Sequence, residues 1–137
     1  MNKILKRDPS SPIVREDRVP EVIVDFEYDY NKGDLLFIIV QNIGFSSAYN
    51  ISVKFDNELI GAEADKKVSE MSIFKRLEFL PPGKRIQIFV DTFLSYLRRR
   101  QPLVVNATVT YSNKNKQKFQ DVIKHDLSIY KEMMYVH

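Results

Sequence analysis

Two histidines, His125 and His137, are the only imidazoles in this 137-residue chain, and His137 is its last residue. His125 is followed directly by Asp126, and neighbours on a strand point to opposite faces, so the two cannot act as an acid–base pair. Ser46 and Ser47 lack the flanking glycines of a nucleophile elbow. The four glycines form no phosphate-cradling GxGxxG or Walker arrangement. The absence of cysteine removes disulfides, thiolate metal sites and thiol nucleophiles. Asp25, Glu27 and Asp29 share one face of an alternating stretch, about 7 Å apart at each step of a strand. An acidic solvated face is the simpler reading of that row, and calcium held with loop help is the alternative. A metal needs three or four convergent ligands, and no His-rich or spaced carboxylate motif supplies them. No catalytic residue, metal ion or cofactor is expected, and the chain reads as a non-enzyme.

Charge gives a second candidate chemistry. The net charge is +3, but residues 1–83 hold 11 basic and 14 acidic side chains, whereas residues 84–137 hold 10 and 4. Arg98, Arg99 and Arg100 form one basic group, and Lys114, Lys116 and Lys118 a second. Joined by Lys84 and Arg85, either group offers a surface for phosphate or another anion. Aromatic residues suited to base stacking are not interleaved with these charges in the sequence. Exposed aromatics are a third lead. Phe89 falls on the polar side of its stretch, where packing beneath residues 57–70 is the alternative to a partner surface, and Phe45 and Tyr49 flank the Ser46-Ser47 turn.

The elements that must position these residues read as strands. At 137 residues and 44% apolar content the chain fits one domain with a real core. Residues 1–20, with three prolines and mixed charge, read as a flexible arm, 21–130 as the folded domain and 131–137 as a tail. Val22, Val24, Phe26, Tyr28 and Tyr30 alternate with polar positions. Gly33 suits the positive-φ position of the turn that follows. Leu35 to Val40 is apolar throughout, as in a central strand covered on both sides. Ile51, Val53 and Phe55 form the next strand. Residues 57–70 lose the pattern, with 62–70 either a helical turn or a loop crossing the edge. Met71 to Phe79 reads as a weaker strand. Pro82 and Gly83 fit the central positions of a type II turn. Ile86, Ile88 and Val90 alternate, and Phe93 and Leu97 suggest a short helical crossover over 91–100. Val105 to Tyr111 and Lys118 to Leu127 read as the last two strands. Tyr130 to Val136, with Met133 and Met134, is apolar enough to dock on the domain or to meet a partner.

Asn42-Ile43-Gly44, Ala48-Tyr49-Asn50-Ile51, Phe79-Leu80-Pro81-Pro82-Gly83-Lys84, Val109-Thr110-Tyr111 and Asp126-Leu127 resemble the immunoglobulin-like domains of bacterial proteins. The likeness covers about residues 20–130 and is similar to the cell-adhesion-related bacterial domains. It implies an all-β, immunoglobulin-like Greek-key sandwich of about seven antiparallel strands. It brings no catalytic or binding residues with it. In such a topology the two basic groups lie on connections at opposite ends. Asn42, Gly44, Ala48 and Asn50, with Pro82 and Gly83, are expected to be structural turn devices: Gly44 for a backbone conformation closed to other residues, the asparagines for bonds to local backbone.

The function expected is that of a non-catalytic interaction module acting through loops and edge strands on a protein partner. Binding of nucleic acid or an anionic surface through the basic second half is the alternative, and an aromatic carbohydrate platform is disfavoured by the lack of tryptophan. The sequence shows neither a signal peptide nor a membrane span, which makes the cytoplasm the default compartment.

Overall fold

The computed structural model describes residues 18–63 and 66–134. In chain order the strands are β1 (Val22–Asp29), β2 (Leu35–Asn42), β3 (Ala48–Phe55), β4 (Leu77–Leu80), β5 (Arg85–Thr92), β6 (Val104–Ser112) and β7 (Lys118–Asp126). Three short helices join them: α1 (Ser72–Lys75), α2 (Phe93–Arg98) and α3 (Ile129–Met133). All strand pairings are antiparallel, and they give two sheets in the orders β1-β2-β5 and β4-β3-β6-β7. The molecule is an all-β sandwich of seven strands, with the helical crossover of residues 91–100 realised as α2.

Period two places the core. Val22, Val24, Phe26 and Tyr28 of β1 are buried, as are Leu36, Ile38 and Val40 of β2, and Ile88 and Val90 of β5. From the other sheet come Ile51 and Val53, then Val105, Ala107, Val109 and Tyr111, then Phe119. Each large apolar side chain so buried stabilises the fold by about 1.5–3 kcal/mol before conformational entropy is counted. The helices close the ends. The Thr92 hydroxyl caps α2 by accepting from the Ser95 N–H at 3.3 Å, and an Asp34 carboxylate oxygen accepts from the Leu94 N–H at 2.9 Å. Tyr130 of α3 packs tilted against Tyr28 and edge-on to Phe93, and its hydroxyl donates to the Phe26 carbonyl at 2.9 Å.

Several expectations need correction. The weak strand over 71–79 is α1 followed by β4; Phe74 on the helix turn is fully buried against Phe55, which a four-residue helix achieves without a visible period. Residues 57–63 form a loop pinned to the β5 edge by the Ala62 N–H on the Val90 carbonyl at 2.8 Å, and Val68–Glu70 is a single 3-10 turn. Leu35 and Phe37 are only half-buried, whereas Ile39 on the same face is buried, so the strand is covered on both sides only toward its end. Phe89 stays 45% exposed and pairs edge-on with Phe37 at 5.9 Å instead of packing under the 57–70 loop. Of the expected arm and tail, residues 1–17 and 135–137 lie outside the described residues.

Candidate functional site: the turn end of the sandwich

β2, β4 and β6 all finish at one end of the sandwich, as the pairs Val22–Asn42, Ala48–Leu80, Gln41–Arg85 and Ser112–Lys118 fix. The turns 43–47, 81–84 and 113–117 therefore crowd together there. Asn42 organises them. It is fully buried, and its side-chain oxygen accepts from the N–H groups of Glu21 (3.1 Å) and Gly44 (2.9 Å). Its side-chain nitrogen donates to the carbonyls of Ser46 and Leu80, both at 2.9 Å. The same residue's backbone N–H donates to the Lys84 carbonyl, and its carbonyl accepts from Gly83. One amide thus ties the chain entering β1 to the ends of β2 and β4.

Gly44 has an ordinary φ, which corrects the expectation of a forbidden conformation. What it supplies is room: a Cβ would lie 2.4 Å from the Glu21 nitrogen and 2.5 Å from the Val19 oxygen. Gly83 does take φ +82°, with the Lys84 N–H closing on the Pro81 carbonyl, as the Pro82-Gly83 turn requires. Asn50 contributes through its backbone, at φ 53° in the irregular step between Tyr49 and Ser52. Ala48 is fully buried at the start of β3.

On this scaffold stand exposed apolar side chains. Phe45 is 78% exposed, Ile43 49% and Phe79 50%. Phe79 lies beside its cross-strand partner Tyr49, ring centroids 5.4 Å apart. Tyr49 is level with Ser112 and, one strand further, with Lys118. The fold therefore sets an aromatic pair in the same row as a lysine, an interleaving the sequence hides because residues 49, 79 and 118 are distant in the chain. A shallow cavity of about 740 Å³ opens on this face, lined by Asn50, Thr110, Ser112, Lys118 and Gln120 among others.

The basic groups divide. Lys114 and Lys116 are exposed on the hairpin, Lys118 begins β7, and Lys84 belongs to the same end. Among the described residues no carboxylate lies within ion-pair distance of these four. Arg85 is instead paired with Glu27, which also accepts from Gln87. Arg98, Arg99 and Arg100 sit at the other end, between β5 and β6, as the topology anticipated. Arg99 is no free cation. Its guanidinium bonds the buried Asp91 carboxylate and the carbonyls of Gly61 and Ala62, clamping the 57–63 loop to α2. Arg100 at φ 55° ends the helix, and Arg98 is exposed.

The acidic row is dispersed. Glu27 engages Arg85, Asp29 accepts from the Asn31 and Lys32 N–H groups, and Asp25 lies 3.9 Å from His125. Among the described residues no three His, Asp or Glu converge as a metal site. His125 faces inward at the corner between β7 and β1, edge-on to Phe26 at 5.0 Å. Burial lowers its pKa below the ordinary 6.5, against the opposing pull of Asp25 and the Val24 carbonyl. Among the described residues, no helix is long and apolar enough to cross a membrane.

No curated protein and no solved structure matches this chain. One family model does, over residues 5–131, which takes in every strand of both sheets and the turn end built around Asn42. The chain belongs to the family described as a domain of unknown function, DUF8453.

Proposed function

We propose that the chain is a non-catalytic interaction module of the immunoglobulin-like kind, engaging a protein partner through its turn end. The pairings β1-β2, β2-β5, β3-β6 and β6-β7 are those of an immunoglobulin sandwich; the fourth strand joins the third instead of the fifth. Phe45 carries the reading. It is 78% exposed, yet its N–H is bonded to Val19 at 3.0 Å and both neighbouring residues are bonded to the locked segment. An apolar side chain held out on rigid backbone loses little entropy on binding, which is the signature of a preorganised contact. A photo-crosslinking residue in place of Phe45, with the same probe at Lys32 on the opposite end, tests this in cell extract. A discrete protein adduct from position 45, absent from position 32 and suppressed by Ile43→Ser, is expected. Equal labelling from both positions would overturn the reading.

Binding of an anionic polymer is the second reading, favoured by one observation: Lys84, Lys114, Lys116 and Lys118 share the end that bears the Tyr49–Phe79 pair. Charge reversal at Lys114 and Lys116 would then abolish retention on an anionic resin, whereas reversal at Arg98 and Arg100 on the far end would not.

A further inference from the structure

Sheet edges are templates for another strand unless they are covered, shortened or bent away. Three of the four edges here are managed. β4 has only four residues. The β5 edge is bonded by Ala62 at Val90. On β1 the Phe26 carbonyl is occupied by the Tyr130 hydroxyl, and the His125 ring packs against the strand beside Phe26. β7 is different: it pairs with β6 over nine residues without a bulge, and among the described residues no backbone hydrogen bond is made to its other side.

The direction of its free backbone groups follows from its ends. The Asn113 N–H donates to the Gln117 carbonyl, and the Leu127 N–H to the Leu103 carbonyl. Hydrogen-bonded pairs alternate along an antiparallel ladder, so the odd residues of β7 bond β6. Lys118, Gln120, Val122, Lys124 and Asp126 therefore aim N–H and C=O outward. Their side chains are exposed on the outer face, Val122 at 61%.

We infer that β7 is a self-association edge, and that two copies of this chain pair antiparallel about a two-fold axis through Val122 to form one eight-stranded sheet. In that register Lys118 meets Asp126 of the second copy, Gln120 meets its Lys124, and Val122 meets Val122. All five outward residues form hydrogen-bonded pairs, and the full nine residues overlap. Moving the axis to Asp121 sets Lys118 against Lys124, and moving it to Lys124 sets two lysines face to face. Shifts between these move Asp126 out of reach of Lys118 and shorten the ladder. Asp126 has the geometry for its role: one carboxylate oxygen accepts from the Ser128 N–H and hydroxyl, and the other remains for the incoming ammonium. Lysines on an edge ordinarily discourage pairing; here each one faces an acceptor in the register that also makes the most hydrogen bonds.

Sedimentation of the full chain over a wide concentration series tests the inference. A species of twice the 16.1 kDa chain mass is expected to grow with concentration. Val122→Pro removes an outward N–H and leaves the β6 ladder intact, so the dimer should vanish while the circular dichroism of the fold is kept. Lys118→Asp alone should weaken association at least tenfold, and Lys118→Asp combined with Asp126→Lys should restore it. Amide exchange should slow with concentration at residues 118, 120, 122, 124 and 126 alone among β7 amides. A monomer at every concentration, or a dimer indifferent to Val122→Pro, would overturn the inference.

Discussion

At the scale of single residues, the Asn42 amide is saturated: two donors and two acceptors all have partners from segments that would otherwise splay apart. Asn42→Ala leaves the Leu80 and Ser46 carbonyls and two backbone N–H groups without that partner in a buried place. A fully buried group of this kind costs about 1–3 kcal/mol, and because only the Leu80 bond is buried while the other three are part-buried, the expected loss is about 2–4 kcal/mol. Asn42→Asp keeps the acceptor but sets a carboxylate against two carbonyls, so it should cost at least as much. Urea unfolding measures both; a loss below about 1 kcal/mol for either would contradict the assignment. The sequence marked Asn42 and Gly44 as turn residues, because Asn-Ile-Gly between two strands is a local signal. It could not show the bond to Leu80, 38 residues on, nor that Gly44 is needed for room against Val19 and Glu21. Pro82 and Gly83 were fully legible because their requirement is a local backbone conformation.

At the scale of elements, the same contrast separates strands from connections. The long strands announce themselves by alternation, since one face of each is buried. The 57–76 connection has no period, because it is held by particular long-range bonds: Gln101 to the Ile60 N–H, Ser69 to the Leu59 N–H, and Arg99 to Gly61 and Ala62. Arg99 looked like one third of a solvent-facing basic run, and nothing local distinguishes it from Arg98 or Arg100. Its assignment to a structural clamp predicts that Arg99→Ala destabilises the fold by about 2–4 kcal/mol, somewhat less than removing one partner of a wholly buried pair because the guanidinium is part-exposed. Arg98→Ala and Arg100→Gly should each stay within about 0.5 kcal/mol, as surface changes do. Amide exchange gives the local readout: protection at Ala62 should fall in Arg99→Ala before that of the β6 ladder. Equal stability of the three variants would refute the clamp.

At the scale of the whole molecule, the two sheets must close on each other at the corner where β1 approaches β7, and the residue placed there is titratable. His125 packs against Phe26, within reach of Asp25 and the Val24 carbonyl. Desolvation is the largest influence on it, so its folded pKa lies below the unfolded value of about 6.5. Between those two values the unfolded chain binds more protons than the folded one, and stability rises with pH. The contribution is complete above about pH 6.5 and is lost as the pH falls toward the folded pKa. Asp56 and Asp126 also titrate below their ordinary value, through bonds from Asn106 and Ser128 respectively, but their contributions fade only in the carboxylate range, below a pH of about 4. Comparing urea midpoints near about pH 7.5 and about pH 5.5 leaves the carboxylates aside, and the difference between wild type and His125→Gln reads the His125 imidazole. The wild-type chain should lose stability over that interval and His125→Gln should lose markedly less, at a lower starting stability because the ring's packing is gone. Because His125 reaches across to β1 from the strand that would pair with a second copy, a dimer formed along β7 should hold this corner together and shrink the wild-type loss at high protein concentration. An identical pH dependence in His125→Gln and wild type would place the sensitivity elsewhere and remove the histidine from the closure of the sandwich.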